Sequence, residues 1–109
     1  MNEEQLSNRL VKRGIAALNS GDRGVWFELF TKDAALTDDG HEQGFKEWSD
    51  NEIFGRGQGR LTAAKREENH GLTVYGIFRS AQWGTFNTVL KFHQRGDKLS
   101  GLDVAQIGD

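Results

Sequence analysis

Leu6, Leu10, Val11, Ile15 and Leu18 fall at i, i+4, i+5, i+9 and i+12, the spacing that lines one face of an α-helix. Asn2 offers a cap for that helix, Glu3 and Glu4 suit the positive end of its dipole, and Gln5 takes the capping-box place. Gly21 is a stop signal. Asp22 then caps a shorter helix carrying Val25, Trp26, Leu29 and Phe30 on one side. The short link between the two predicts a helical hairpin. Lys32-Asp33 closes the second helix, residues 34–37 read as a short strand, and Asp38-Asp39-Gly40 is a turn signal. Phe45 and Trp48, three apart, mark a third helix over residues 44–54. The run Gly55-Arg56-Gly57-Gln58-Gly59 breaks it and predicts a mobile loop.

From residue 60 the period changes to two. Residues 60–68 are polar and weakly patterned, as in an edge strand. Leu72, Val74, Gly76 and Phe78 alternate with Thr73, Tyr75, Ile77 and Arg79. Phe86, Thr88, Leu90 and Phe92 alternate with Asn87, Val89, Lys91 and His93. Turns at 69–71 and at Arg95-Gly96-Asp97, a longer link at 80–84 and a last strand over 99–107 predict an antiparallel meander. The order is α-α-β-α-β-β-β-β, with helices segregated from the sheet, which is the α+β pattern. Helices cover one sheet face. The other carries Tyr75, Ile77 and Val89 among polar residues, more apolar than a merely solvated face, and so predicts contact with a second subunit.

Composition narrows the class. With 109 residues, 36% hydrophobic and 28% charged, the chain is expected to fold as one domain over 1–109. A net charge of −2 argues against a dedicated nucleic-acid partner. The absence of Cys removes disulfides, thiolate metal sites and Cys nucleophiles. No apolar run reaches the length of a membrane span, and the acidic start is unlike a leader. A cytoplasmic protein with no membrane partner is the expectation. Fourteen Gly and no Pro mean that glycines make the turns.

The ordered set Ala17-Leu18-Asn19-Ser20-Gly21-Asp22, Trp26…Leu29-Phe30-Thr31-Lys32-Asp33-Ala34, Leu36-Thr37-Asp38-Asp39-Gly40 and Gly44-Phe45-Lys46-Glu47-Trp48 continues late in the chain. There it runs through Thr73-Val74-Tyr75-Gly76-Ile77-Phe78-Arg79-Ser80, Trp83-Gly84, Leu90-Lys91-Phe92 and Gly96-Asp97-Lys98-Leu99. This arrangement resembles the nuclear-transport-factor-2-like (NTF2-like) superfamily, and most closely its SnoaL-like branch. The resemblance implies a cone: a strongly curved sheet closed at one end by helices, enclosing a pocket and commonly dimerising through the outer sheet. Cyclases, isomerases, dehydratases, hydrolases and non-catalytic binding domains share that fold, so it does not name a chemistry.

In isomerases and several cyclases of this superfamily a carboxylate follows the first strand and points into the cone; Asp38 matches that place. Among Trp26, Phe30, Phe45 and Trp48, a carboxylate is partly desolvated and suited to proton transfer. Asp38-Asp39-Gly40 also reads as a plain turn with both carboxylates in water. Isomerase activity is not carried over. Its oxyanion donors, a Tyr and a protonated Asp, fall at Gly14, which has no side chain, and at Thr88, which offers one weak hydroxyl.

His41, close to Asp38, is a candidate proton shuttle or an exposed loop residue. His70 reads as a solvated turn residue and His93 as outward-facing. The three histidines lack paired-ligand spacing, so no metal is expected. The glycine run follows no strand and lacks the Lys-Ser/Thr of a phosphate cradle, so no cofactor is expected either. Trp26, Phe30, Phe45, Trp48, Phe78 and Phe86 can face one interior, as core or as ligand walls. Leu90, Leu102 and Val104 join them there, with Asp103 outward.

The sequence thus predicts a small hydrophobic molecule as ligand. Asp38 would be its acid or base, Thr88 a polar partner and His41 a shuttle. The alternative is a non-catalytic dimeric interaction domain acting through the outer sheet face.

Overall fold

The computed structural model describes residues 3–108; the expected Asn2 cap lies outside them. Glu3–Gln5 form a separate 3₁₀ turn, and the first helix, α1, runs over Arg9–Ser20. It starts later than the spacing suggests because Asn8 is the cap: its Oδ1 accepts from the Val11 N–H at 3.1 Å. Leu6 still buries itself in the core ahead of the helix. Gly21 ends α1, and the Asp22 carboxylate caps α2 (Arg23–Leu29) by accepting from the Val25 N–H at 3.2 Å.

The second helix ends at Leu29, not at Lys32-Asp33. Phe30 already pairs with Leu99, and this long-range pairing overrides local helix propensity. The strand β1 therefore spans Phe30–Asp38. A tight hairpin through Asp39 and Gly40, both at positive φ, returns it into β2 (His41–Gln43), which the sequence pattern did not disclose. Positive φ at both central residues is the Asp-Gly signature of a two-residue hairpin. Then come α3 (Phe45–Glu52), β3 (Arg60–Glu68), β4 (Thr73–Ser80), β5 (Gly84–Arg95) and β6 (Lys98–Gln106).

The strands form one curved, unclosed six-stranded sheet in the order β2-β1-β6-β5-β4-β3, as the α+β reading expects. The meander β3-β4-β5-β6 is antiparallel, but β6 returns beside β1 in parallel. A parallel neighbour needs a long connection, and the chain between β1 and β6 supplies it. Among the described residues, no helix is long and apolar enough to cross a membrane.

The glycine run is packed, not loose. Gly57 N–H donates to the Asn51 carbonyl and Gly59 N–H to the Glu52 carbonyl, both at 2.8 Å, and Ala81 N–H donates back to the Gly57 carbonyl at 2.6 Å. A Cβ on Gly57 would collide with the Glu52 backbone, and one on Gly59 with the Phe78 ring. These glycines let the chain lie against the end of α3, and the Gly57 and Gly59 amides are spent on it.

At the centre of the core stands Trp26, fully buried. Its ring meets Phe30 at 4.8 Å and Phe45 at 6.2 Å between centroids. Its Nε1 donates to Ser49 Oγ at 3.1 Å. Burying a ring of this size contributes on the order of 5 kcal/mol before entropy is charged against it. That gain holds only while the buried N–H keeps its partner.

On the outer face Tyr75 lies under the Arg66 guanidinium, 3.7 Å from ring centroid to Cζ, and donates to Glu68 Oε1 at 3.0 Å. Val89 is already buried there, between Tyr75 and Ala105 on the flanking strands.

Two substitutions test this core in opposite directions. Ser49→Ala strands the indole N–H and is expected to cost about 1–3 kcal/mol in urea unfolding. Gly14→Ala places a methyl in ordinary contact with Trp26 and Leu99, 3.7 Å away, and is expected to stabilise α1 by about 0.5–1 kcal/mol.

Candidate functional site

Strand alternation decides where Asp38 points. Leu36 faces the core, Thr37 faces out to bond Asp103, and Asp38 faces in again. The turn reading and the site reading are therefore both satisfied. Asp39 and Gly40 make the turn, while Asp38, one residue earlier, stands half-buried at its mouth. Asp39 ties the turn to β6: its N–H donates to the Val104 carbonyl at 2.8 Å and its Oδ1 accepts from the Gln106 N–H at 2.9 Å.

Asp38 opens onto a cleft of about 610 Å³ between β2, α3 and the β4–β5 loop. Its Oδ2 accepts from Trp48 Nε1 at 2.9 Å. His41 is its cross-strand partner and lines the same cleft. Phe78 and Phe86, directly paired across β4 and β5 with centroids 5.7 Å apart, form an apolar wall, and Val104 adjoins them.

Six of the expected site residues thus share one cleft: Asp38, His41, Trp48, Phe78, Phe86 and Val104. The other six do not line it. Trp26, Leu90 and Leu102 are sealed in the core. Phe30 and Phe45 border a second, shallower depression beside Arg23, Lys32 and Lys46. Thr88 is fully buried, and its hydroxyl donates to the Ala105 carbonyl at 2.9 Å. Facing the interior is not the same as facing the cleft: the strand period gives the first, and only the packing gives the second.

Several lining residues escaped the sequence reading: Asp39, Gln43, Glu47, Asn51, Glu52, Trp83 and Gln106. Trp83 is the large one. It sits in the three-residue loop between β4 and β5, which Ser80 shapes: its Oγ accepts from the N–H groups of Gln82 and Trp83, each at 3.1 Å. Trp83 Nε1 then donates to Glu52 Oε1 at 2.9 Å. The available signal was a Trp between turn residues, where no core position exists to absorb it.

The helix that carries Trp48 and Glu52 is held by an ion pair. Arg23 donates to Asp50 twice, Nε to Oδ1 at 2.6 Å and Nη2 to Oδ2 at 2.9 Å, and Lys46 Nζ adds a third bond at 3.0 Å. The Arg23 hydrogen bonds, then that of Lys46, lower the Asp50 carboxyl to a pKa of about 2.

Away from the cleft, His93 Nε2 meets Asp103 Oδ2 at 2.7 Å, and Thr37 Oγ1 donates to Asp103 Oδ1 at 2.6 Å. Partial burial pushes the Asp103 carboxyl up, but the bonds from Thr37 and His93 outweigh it and hold the group below its ordinary range. The hydroxyl contacts the acid and not the imidazole. This trio therefore lacks the nucleophile-to-base contact of a hydrolase.

No protein-family model matches the chain, and no curated protein matches it. Solved structures do. The chain is similar to a candidate polyketide cyclase from Sinorhizobium meliloti at 15% identity and a TM-score of 0.74, covering 95% of this chain and 99% of that one. It is similar to an NTF2-like protein of unknown function from Cytophaga hutchinsonii at 15% identity and a TM-score of 0.71, over 90% and 87% of the two chains. A candidate ketosteroid isomerase from Kribbella flavida matches at 11% identity and a TM-score of 0.71, over 96% and 80%. The chain has the NTF2-like fold.

The Asp50 pair makes α3, and with it the cleft wall, sensitive to acid. Its carboxyl is lowered in the folded state, so its contribution is complete above the unfolded value near 4 and vanishes as pH falls through about 2. Asp50→Asn is expected to lower Tm by about 2–4 °C at pH 7. The gap between wild type and variant should close between pH 4 and pH 2, which thermal melts across that range would read.

Proposed function

We propose that the protein belongs with the SnoaL-like members of this fold, that it binds a small, largely apolar molecule in the Asp38 cleft, and that Asp38 serves that molecule as general acid or base. The observation that carries this reading is the half-buried Asp38 carboxylate, fixed by the Trp48 indole at 2.9 Å at the edge of a cleft walled by Phe78 and Phe86. A proton carrier needs a fixed position beside its substrate and a wall that limits water. One Asp38 oxygen is engaged by Trp48, which leaves Oδ1 for a bound molecule. In this reading His41, the cross-strand partner of Asp38, exchanges protons between Asp38 and solvent. Thr88 has no part in the proposal, because its hydroxyl is committed to Ala105.

The neighbours in fold add support of a general kind. Two carry names of cyclase and isomerase chemistry. Another is an Orange Carotenoid Protein from Anabaena binding canthaxanthin, an apolar ligand; this chain spans 37% of it, at 17% identity and a TM-score of 0.70. The alternative, a non-catalytic domain dimerising through the outer sheet, is placed second. Of the apolar groups offered there, Tyr75 lies under Arg66 and Val89 is buried among its neighbours, which leaves Ile77, itself half-buried.

A thermal-shift screen of small ketones and epoxides is expected to give compounds that raise Tm. With any compound that is turned over, Asp38→Asn should reduce the rate by about 10²–10⁴-fold and leave the circular dichroism spectrum unchanged. Undiminished turnover by a folded Asp38→Asn protein would reject Asp38 as the acid or base.

A further inference from the structure

The cleft is not neutral. Asp38, Asp39, Glu47 and Glu52 all line it, and among the described residues no Lys or Arg does. Two of these carboxylates are each bound to the edge of an indole, Asp38 by Trp48 Nε1 and Glu52 by Trp83 Nε1, both at 2.9 Å. An indole N–H lies in the ring plane, so the bond occupies an edge; Trp48 is otherwise buried, whereas Trp83 keeps its ring open to solvent. Trp83 is 69% exposed, and it is the large hydrophobic residue that stands out in solvent among those described. An apolar ring held out in water at the rim of a cleft by a dedicated hydrogen bond and a shaped loop is a contact surface without its partner.

Resting on the reading that this cleft binds a small molecule, we infer that its ligand is an organic cation, an ammonium group joined to an apolar body. The ammonium sits by Trp83 and Glu52, and the apolar body lies against Phe78 and Phe86. Indole faces attract cations through the ring quadrupole, and neighbouring carboxylates reinforce the field. A metal ion does not fit as well: among the described residues no three His, Asp or Glu side chains converge closely enough to ligate one. An anionic ligand would meet four carboxylates and, among the described residues, no Lys or Arg on the wall to offset them, His41 being the one imidazole there.

The test uses choline and its uncharged carbon isostere 3,3-dimethylbutan-1-ol, titrated separately into the full chain while tryptophan fluorescence is followed. Choline is expected to bind about tenfold tighter than the isostere, and to weaken as salt rises. Trp83→Ala and Glu52→Gln change exposed or half-buried rim groups, and each is expected to weaken choline at least fivefold while circular dichroism shows the fold intact. Equal affinity for choline and the isostere would overturn the cation inference and leave the small-molecule reading standing. So would a neutral apolar compound that raises Tm when choline gives no signal. Choline binding indifferent to both variants would place the cation elsewhere and overturn the assignment. Failure of choline and of every screened neutral compound would overturn both readings together.

Discussion

The Trp26 indole sets where this fold has room. It occupies the interior between the helices and the sheet, with its ring against Gly14 of α1 and its N–H bound to Ser49 of α3. A cone that was open at this level would have to leave apolar surface unpacked, and native interiors do not tolerate that. The hollow is therefore displaced toward the mouth, beyond Ser49, where Trp48 is the next residue along the same helix. Trp48 closes one side of the remaining space and hands its N–H to Asp38. The position of the cleft follows from the filling of the core.

That displacement also explains what the resemblance could not transfer. The isomerase reading looks to a side chain at Gly14 and to another at Thr88. In the folded chain a side chain at Gly14 meets Trp26, Leu99 and Phe92, and Thr88 is turned to a main-chain carbonyl. Neither position opens onto the cleft, so the chemistry available to the chain is that of the rim and not of the depth. An acid at the mouth, flanked by other acids, is a different electrostatic setting from one isolated in an apolar pocket.

Much of the fold was legible because it rests on period and punctuation. The three helices, the strands from residue 60 onward and the Asp22 cap follow from spacing and capping chemistry. The extension of β1 through Phe30–Asp33, the short β2 and the parallel β1–β6 pair were not legible, since each is decided by a partner strand distant in sequence. The site was half legible for the same reason. Asp38, His41 and Trp48 are neighbours in sequence as well as in space. Glu52 and Trp83 are 31 residues apart and meet only when the β4–β5 loop folds back over the end of α3. A glycine run suggests slack from sequence, whereas here its missing side chains serve close contact with the α3 backbone and Phe78.

Five consecutive residues of α3 show how tightly core and rim are joined. Trp48 donates to Asp38, Ser49 accepts from Trp26, and Asp50 accepts from Arg23 and Lys46. The Asn51 carbonyl accepts from Gly57, and the Glu52 carboxylate accepts from Trp83. Successive side chains on a helix are about 100° apart, so these ties leave in different directions and hold the short helix from several sides. Its eight residues are too few to be stable alone, so its helicity depends on those ties. The cleft wall is consequently preorganised by the same contacts that stabilise the domain, and a ligand entering between Trp48 and Trp83 meets two rings already fixed in place, with little conformational entropy left to lose there.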